Sequence, residues 1–170
     1  KRSISDRTFE RTLWIQNRDS LPSIADHIPK PMKLDVGLQE MLKLAITMED
    51  SEFDWKGIIK GWLNFEMVQA PIISADLCIL RRELMGPLPN EKDIPFTVPS
   101  PEEFIARFQI LEGAVERGDQ IPYRFHLASC LDEHAAATKV DEHGLYAIKY
   151  YAFFELQDTE NRRFYKAQEI

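Results

Sequence analysis

The sequence predicts an α+β fold, an antiparallel sheet of four to six strands packed against two main amphipathic helices. Three observations predict it: a three- and four-residue apolar recurrence after Leu34, a capped start at Ser100, and a long two-residue alternation from Tyr146. Strands and helices do not alternate as strict β-α-β units, so a doubly wound parallel sheet is not expected. One domain is enough for 170 residues, 44% apolar and 29% charged, because a chain of this length buries about two thirds of its unfolded surface.

Residues 1–33 read as a mildly basic N-terminal arm, and residues 34–170 as a single globular domain. In the arm Lys1, Arg2, Arg7, Arg11 and Arg18 outnumber Asp6, Glu10 and Asp19, and Pro22, Pro29 and Pro31 interrupt any long helix. The first helix is read from Leu38, Met41, Leu42, Ala45 and Ile46, with Asp35 placed to accept first-turn amides. The acidic stretch from Glu49 to Asp54 opposes the helix dipole at its C-terminus and ends the helix near Met48.

The period then changes. Leu63, Phe65 and Met67 alternate with Asn64, Glu66 and Val68, and Ile73, Ala75, Leu77 and Ile79 resume the rhythm past Pro71. Either one strand bends at that proline or two strands meet there, and the second reading is adopted. Residues 86–101 hold Pro87, Pro89, Pro95, Pro99 and Pro101, half the prolines of the chain, in a connection longer than compact domains ordinarily use. With Ile94, Phe96 and Val98 alternating along it, this segment is expected to act as a self-association loop.

Ser100, Pro101 and Glu103 form a capping box, which predicts a second helix carrying Phe104, Phe108, Leu111 and Val115 and ending at Gly118. Beyond it, Tyr123 to Ser129 is strand-like and Asp132 is placed to cap a short turn through Ala135, Ala136 and Ala137. Tyr146, Ile148, Tyr150, Ala152, Phe154 and Leu156 then form the most regular strand face in the chain. The polar run from Gln157 to Asn161 predicts a hairpin to a final strand, Arg162 to Ile170.

Composition and motifs exclude most chemistry. A charge of −7, from 21 Lys and Arg against 28 Asp and Glu, opposes broad phosphate binding, and no sequence-specific nucleic-acid contact is expected. Seven glycines form no phosphate-binding loop, and no G-x-S-x-G elbow is present. Cys78 and Cys130 lack any zinc or redox spacing and fit a reducing compartment. No apolar run reaches a membrane span, and residues 1–20 lack a signal-peptide core.

Cys130 stands near His126 and His134, but in a strand His126 and Cys130 would be about 13 Å apart. The tripeptide Asp-Glu-His occurs at Asp132–His134 and again at Asp141–His143. Nine-residue spacing is not that of a metal helix, so these read as a cap and solvent-facing charge. No catalytic residue, metal or cofactor is therefore assigned. The paired cations Arg81 and Arg82, with Lys1, Arg2, Arg7 and Arg11, are the expected contacts to an anionic partner, against the plainer role of solvated edge charge.

The order of these elements resembles the matrix proteins of rhabdoviruses. The likeness is carried by Leu38–Met48, by the run from Trp55 through Lys56, Gly57, Lys60 and Gly61 to Leu63, by Cys78–Arg82 and by Gly86–Pro89, over residues 34–90. It implies a non-enzymatic structural protein of virion and host cytoplasm that self-associates and bridges viral nucleoprotein and a membrane surface. Two other functions fit the residues: a monomeric protein-interaction adaptor using the proline-rich loop or a sheet edge, and a small metal-dependent hydrolase built on His126, His134 and His143.

Overall fold

The computed structural model describes residues 28–38, 40–51, 57–85, 97–127, 139–140 and 146–170. Their architecture is a sandwich of two antiparallel sheets. The first has the order β1 (Met32–Leu38), β2 (Leu42–Met48), β3 (Ile58–Val68) and β6 (Gln120–His126). The second runs β5 (Phe104–Glu112), β4 (Ile72–Met85) and β8 (Tyr146–Asp158), and the far edge of β8 pairs with both β7 (Lys139–Val140) and β9 (Arg163–Glu169).

Neither expected helix forms, and no α-helix occurs among the described residues. Where the first was expected, β1 and β2 pair as a hairpin from Met32↔Met48 to Leu38↔Leu42. The physical reason lies in a competing period. Met32, Leu34, Val36 and Leu38 alternate along β1, and Leu42, Leu44, Ile46 and Met48 along β2, so period two buries one face of both strands. The buried Ala45 on the opposite face of β2 supplied the extra apolar position that imitated a helical stripe.

The second expected helix stops after one turn. The Ser100 amide donates to Glu103 Oε2 at 2.7 Å, as the capping box requires, but only Pro101–Glu103 is helical and the chain is extended from Phe104. Two register shifts between β4 and β5, at Ala75/Asp76 and Ile79/Leu80, break strict alternation. They leave Phe104, Phe108 and Leu111 at spacings that mimic a helix. Gly118 does take a left-handed conformation, φ 95°, yet it closes the β5–β6 connection instead of ending a helix.

Other expectations match the described elements. Pro71 stands between β3 and β4, at the point where the chain passes from the first sheet to the second. The strand expected from Tyr146 is β8, and the terminal hairpin is β8–β9, with Asn161 at φ 61° in its turn. The core lies between the sheets, where Leu44, Ile46, Leu63 and Phe65 meet Leu77, Ile79, Phe154 and Leu156. Each such side chain contributes about 1.5 to 3 kcal/mol on burial. Phe108 of β5 stacks on Phe125 of β6 at 4.7 Å, and Tyr123 meets Phe154 edge-on at 5.8 Å, tying one sheet to the other.

Candidate protein-docking surface

The outer face of the second sheet, turned away from the core, carries its own pattern. Residues opposite one another across β4 and β8 are Asp76 and Glu155, Cys78 and Phe153, Leu80 and Tyr151, then Arg82 and Lys149. Directly paired residues share a face, so like charges sit at both ends of an apolar centre. Two carboxylates or two cations side by side are unfavourable, and each pair recruits counter-charges.

At the acidic end Arg107 of β5 reaches Asp76 Oδ2 at 3.3 Å and makes a closer contact with Glu155 Oε2. Arg163 of β9 reaches the other oxygen, Glu155 Oε1, at 3.0 Å. Burial raises the Asp76 carboxyl above its ordinary value, with Arg107 acting against the rise. At the basic end Lys149 contacts Glu169 Oε2 at 2.9 Å, and Arg82 holds both oxygens of Glu103, at 2.5 and 3.3 Å. Arg82 also donates to the Thr97 carbonyl at 3.2 Å and lies over the Tyr151 ring.

Between the charged ends is an open groove of about 640 Å³. Its floor is aromatic: Phe153 meets Phe104 edge-on at 6.1 Å and stacks with Tyr165 at 5.5 Å. Val98, Pro99 and Pro101 form one wall, while Arg107, Glu155 and Arg163 close the other end. Prolines and aromatic rings present rigid apolar surface at small entropic cost, which suits the binding of another macromolecule. Cys78 lies beneath this face, fully buried, and burial pushes its thiol up to about 11, so the neutral thiol prevails.

Of the expected loop residues, Val98 is 71% exposed and stands in the groove wall, whereas Pro87, Pro89, Ile94 and Phe96 lie outside the described residues. Lys1, Arg2, Arg7 and Arg11 lie outside them as well. Arg81 pairs with Glu83 at 2.5 Å, and Arg82 is turned inward onto Glu103. His126 ends β6 at the surface, while Cys130, His134 and His143 are outside the described residues. Among the described residues no three His, Cys, Asp or Glu side chains converge as metal ligands. The sequence reading missed the Phe104, Phe153 and Tyr165 cluster, because only strand pairing brings those positions together.

Comparison with known proteins places the chain. The family model for Vps26, vacuolar protein sorting-associated protein 26, matches residues 1–161. The chain is 30% identical over 169 residues to vacuolar protein sorting-associated protein 26 of Drosophila melanogaster, covering 99% of this chain and 32% of that protein. It is 29% identical to the Schizosaccharomyces pombe protein of the same name, covering 99% of this chain and 52% of the relative. With vacuolar protein sorting-associated protein 26B of Homo sapiens it shares 28% identity, over 99% of this chain and 46% of the relative. The chain thus spans about a third to a half of the length of these relatives.

These matches overturn the rhabdovirus resemblance, which covered only residues 34–90 and assumed a helix where β1 and β2 pair. The virion location, the viral nucleoprotein partner and assembly as a homo-oligomeric matrix fall with it. Matched over nearly its whole length and folded as an arrestin-like sandwich of two antiparallel sheets, the chain belongs to the Vps26 family.

Proposed function

We propose that this chain is a non-catalytic protein-binding module of a vacuolar protein-sorting assembly of the retromer type, working at the cytosolic face of endosomes. The observation that carries this reading is the family match over residues 1–161. The chemistry of the described surface is consistent with it. Ionisable groups on the outer face of the second sheet are engaged in ion pairs with one another, and what they frame is an aromatic and proline-lined groove. Such a surface binds; it presents no activated nucleophile or poised base.

The partners in this reading are the other subunits of the sorting assembly and the proteins they carry. In this reading the module reaches endosomes through those partners; among the described residues no helix is long and apolar enough to cross a membrane. Co-expression with the remaining sorting subunits of its own organism tests the proposal. Co-elution as a stoichiometric complex, and missorting of a vacuolar hydrolase when the chain is deleted, are expected. A chain that elutes alone and whose deletion leaves vacuolar sorting intact would refute it.

A further inference from the structure

The lining of the groove on the outer face of the second sheet bears on the chemistry of an occupant, an inference that rests on the sorting-subunit reading. Its floor of Phe104, Phe153 and Tyr165 is apolar, and Tyr165 is 43% exposed. At the charged end the four ionised groups cancel in number but not in position. Arg107 and Arg163 are 51% and 64% exposed, whereas the carboxylates of Asp76 and Glu155 are only 19% and 13% exposed. The acids hold the arginines from beneath, so an incoming chain meets guanidinium. Arg163 commits Nη1 to Glu155 and lines the groove together with Phe104, Phe153 and Tyr165.

We propose that this groove binds an extended segment of a partner protein that carries one large apolar side chain next to carboxylates. The apolar side chain lies on the exposed Tyr165 ring against Val98, Pro99 and Pro101, and a carboxylate takes a guanidinium donor of Arg163. A volume of about 640 Å³ has room for a few side chains, which is the scale of a short linear segment and not of a domain.

The global charge of −7 makes the test discriminating, because long-range attraction favours a basic peptide over an acidic one. Fluorescence anisotropy on the full chain uses three labelled octapeptides: one phenylalanine among glutamates, the same among lysines, and the glutamate peptide with alanine for phenylalanine. The glutamate–phenylalanine peptide should bind at least about tenfold more tightly than either of the others. Arg163→Glu should weaken it by about tenfold, with Arg163→Gln intermediate, both read at a temperature where melting curves show each variant folded. Val98→Asp, at an exposed position, should weaken it independently.

Equal or tighter binding of the lysine peptide overturns the proposal, as does binding that neither Arg163→Glu nor Val98→Asp alters. A concentration-dependent dimer removed by Val98→Asp would assign the groove to a second copy and also overturn it. The two readings fail separately. Co-elution with the sorting subunits but no peptide binding at about 1 mM ends this proposal and leaves the function standing. Peptide binding without co-elution does the reverse.

Discussion

The Tyr123 hydroxyl donates a 2.9 Å hydrogen bond to the Thr47 carbonyl, spanning from β6 to β2 across the strand between them. The residue it passes is Gly61, paired with Tyr123 on one side and Met48 on the other. A Cβ on Gly61 would stand 1.8 Å from the Thr47 oxygen and 2.7 Å from the Tyr123 hydroxyl. The absence of a side chain at one position therefore permits a bond between two others.

Gly61→Ala should destabilise by about 3 kcal/mol or more, since a methyl group cannot share that space unless β2 and β3 separate. Tyr123→Phe removes only the hydroxyl and should cost about 1 kcal/mol. Urea denaturation of both variants checks the order. A Gly61→Ala chain as stable as Tyr123→Phe would mean that the strands yield without loss.

The Arg82–Glu103 pair anchors the chain between Thr97 and Phe104, since Glu103 also accepts from the Ser100 amide. Arg82→Ala should cost about 2 kcal/mol, because it leaves a largely buried carboxylate without its cation. Amide hydrogen exchange should then quicken at Glu103 and Phe104, whose N–H groups close the single helical turn. Exchange that quickens equally in every strand would show instead that the pair supports the sandwich as a whole.

Asp158 sets a pH dependence on the β8–β9 turn. Burial opposes its charge, but the Arg162 side chain and the amides of Arg162 and Glu160 outweigh that effect and hold its carboxyl below the ordinary value of 3.8. A depressed folded-state value gives stability that is present above 3.8 and lost as pH falls through the folded value. Thermal melts should show the wild-type chain losing stability below about pH 4, with a weaker acid dependence in Asp158→Asn. In the same turn Asn161→Val should cost about 1 kcal/mol, because a β-branched side chain resists φ 61°.

Cys78 should resist thiol reagents in the folded chain. It is fully buried, and burial raises its thiol to about 11, so little thiolate forms near neutral pH. In a Cys130→Ser background, labelling by a chromogenic disulfide should follow the unfolding transition in urea. Rapid labelling without denaturant would show that the outer face of β4 opens on its own.

Legibility in the sequence followed the range of the interactions. The β8 strand could be read from Tyr146 to Leu156 because alternation there is long and uncontested, and the polar run after it announced the hairpin. The segment from Leu34 to Met48 could not be assigned so simply, since its apolar residues satisfy both periods. Pairing with β3 along Leu44↔Phe65 and Ile46↔Leu63 resolves the ambiguity, a contact between strands that local periodicity does not encode. The capping box at Ser100 opens a single helical turn and not the expected helix, because pairing of β5 with β4 outcompetes helix propagation beyond Glu103.

The amino-acid sequence alone determined the charge balance, the lack of phosphate and nucleophile motifs, the break at Pro71 and the terminal hairpin, because each rests on neighbours along the chain. Tertiary structure alone decided that the extended segments stack as two sheets. It also gathered Val98, Phe104, Arg107, Phe153 and Arg163 from separate strands and loops around one groove. The reason is cross-strand registry: a sheet joins residues about fifty positions apart, such as Arg107 and Glu155, and that partnership is set by hydrogen bonding between strands, not by spacing within them.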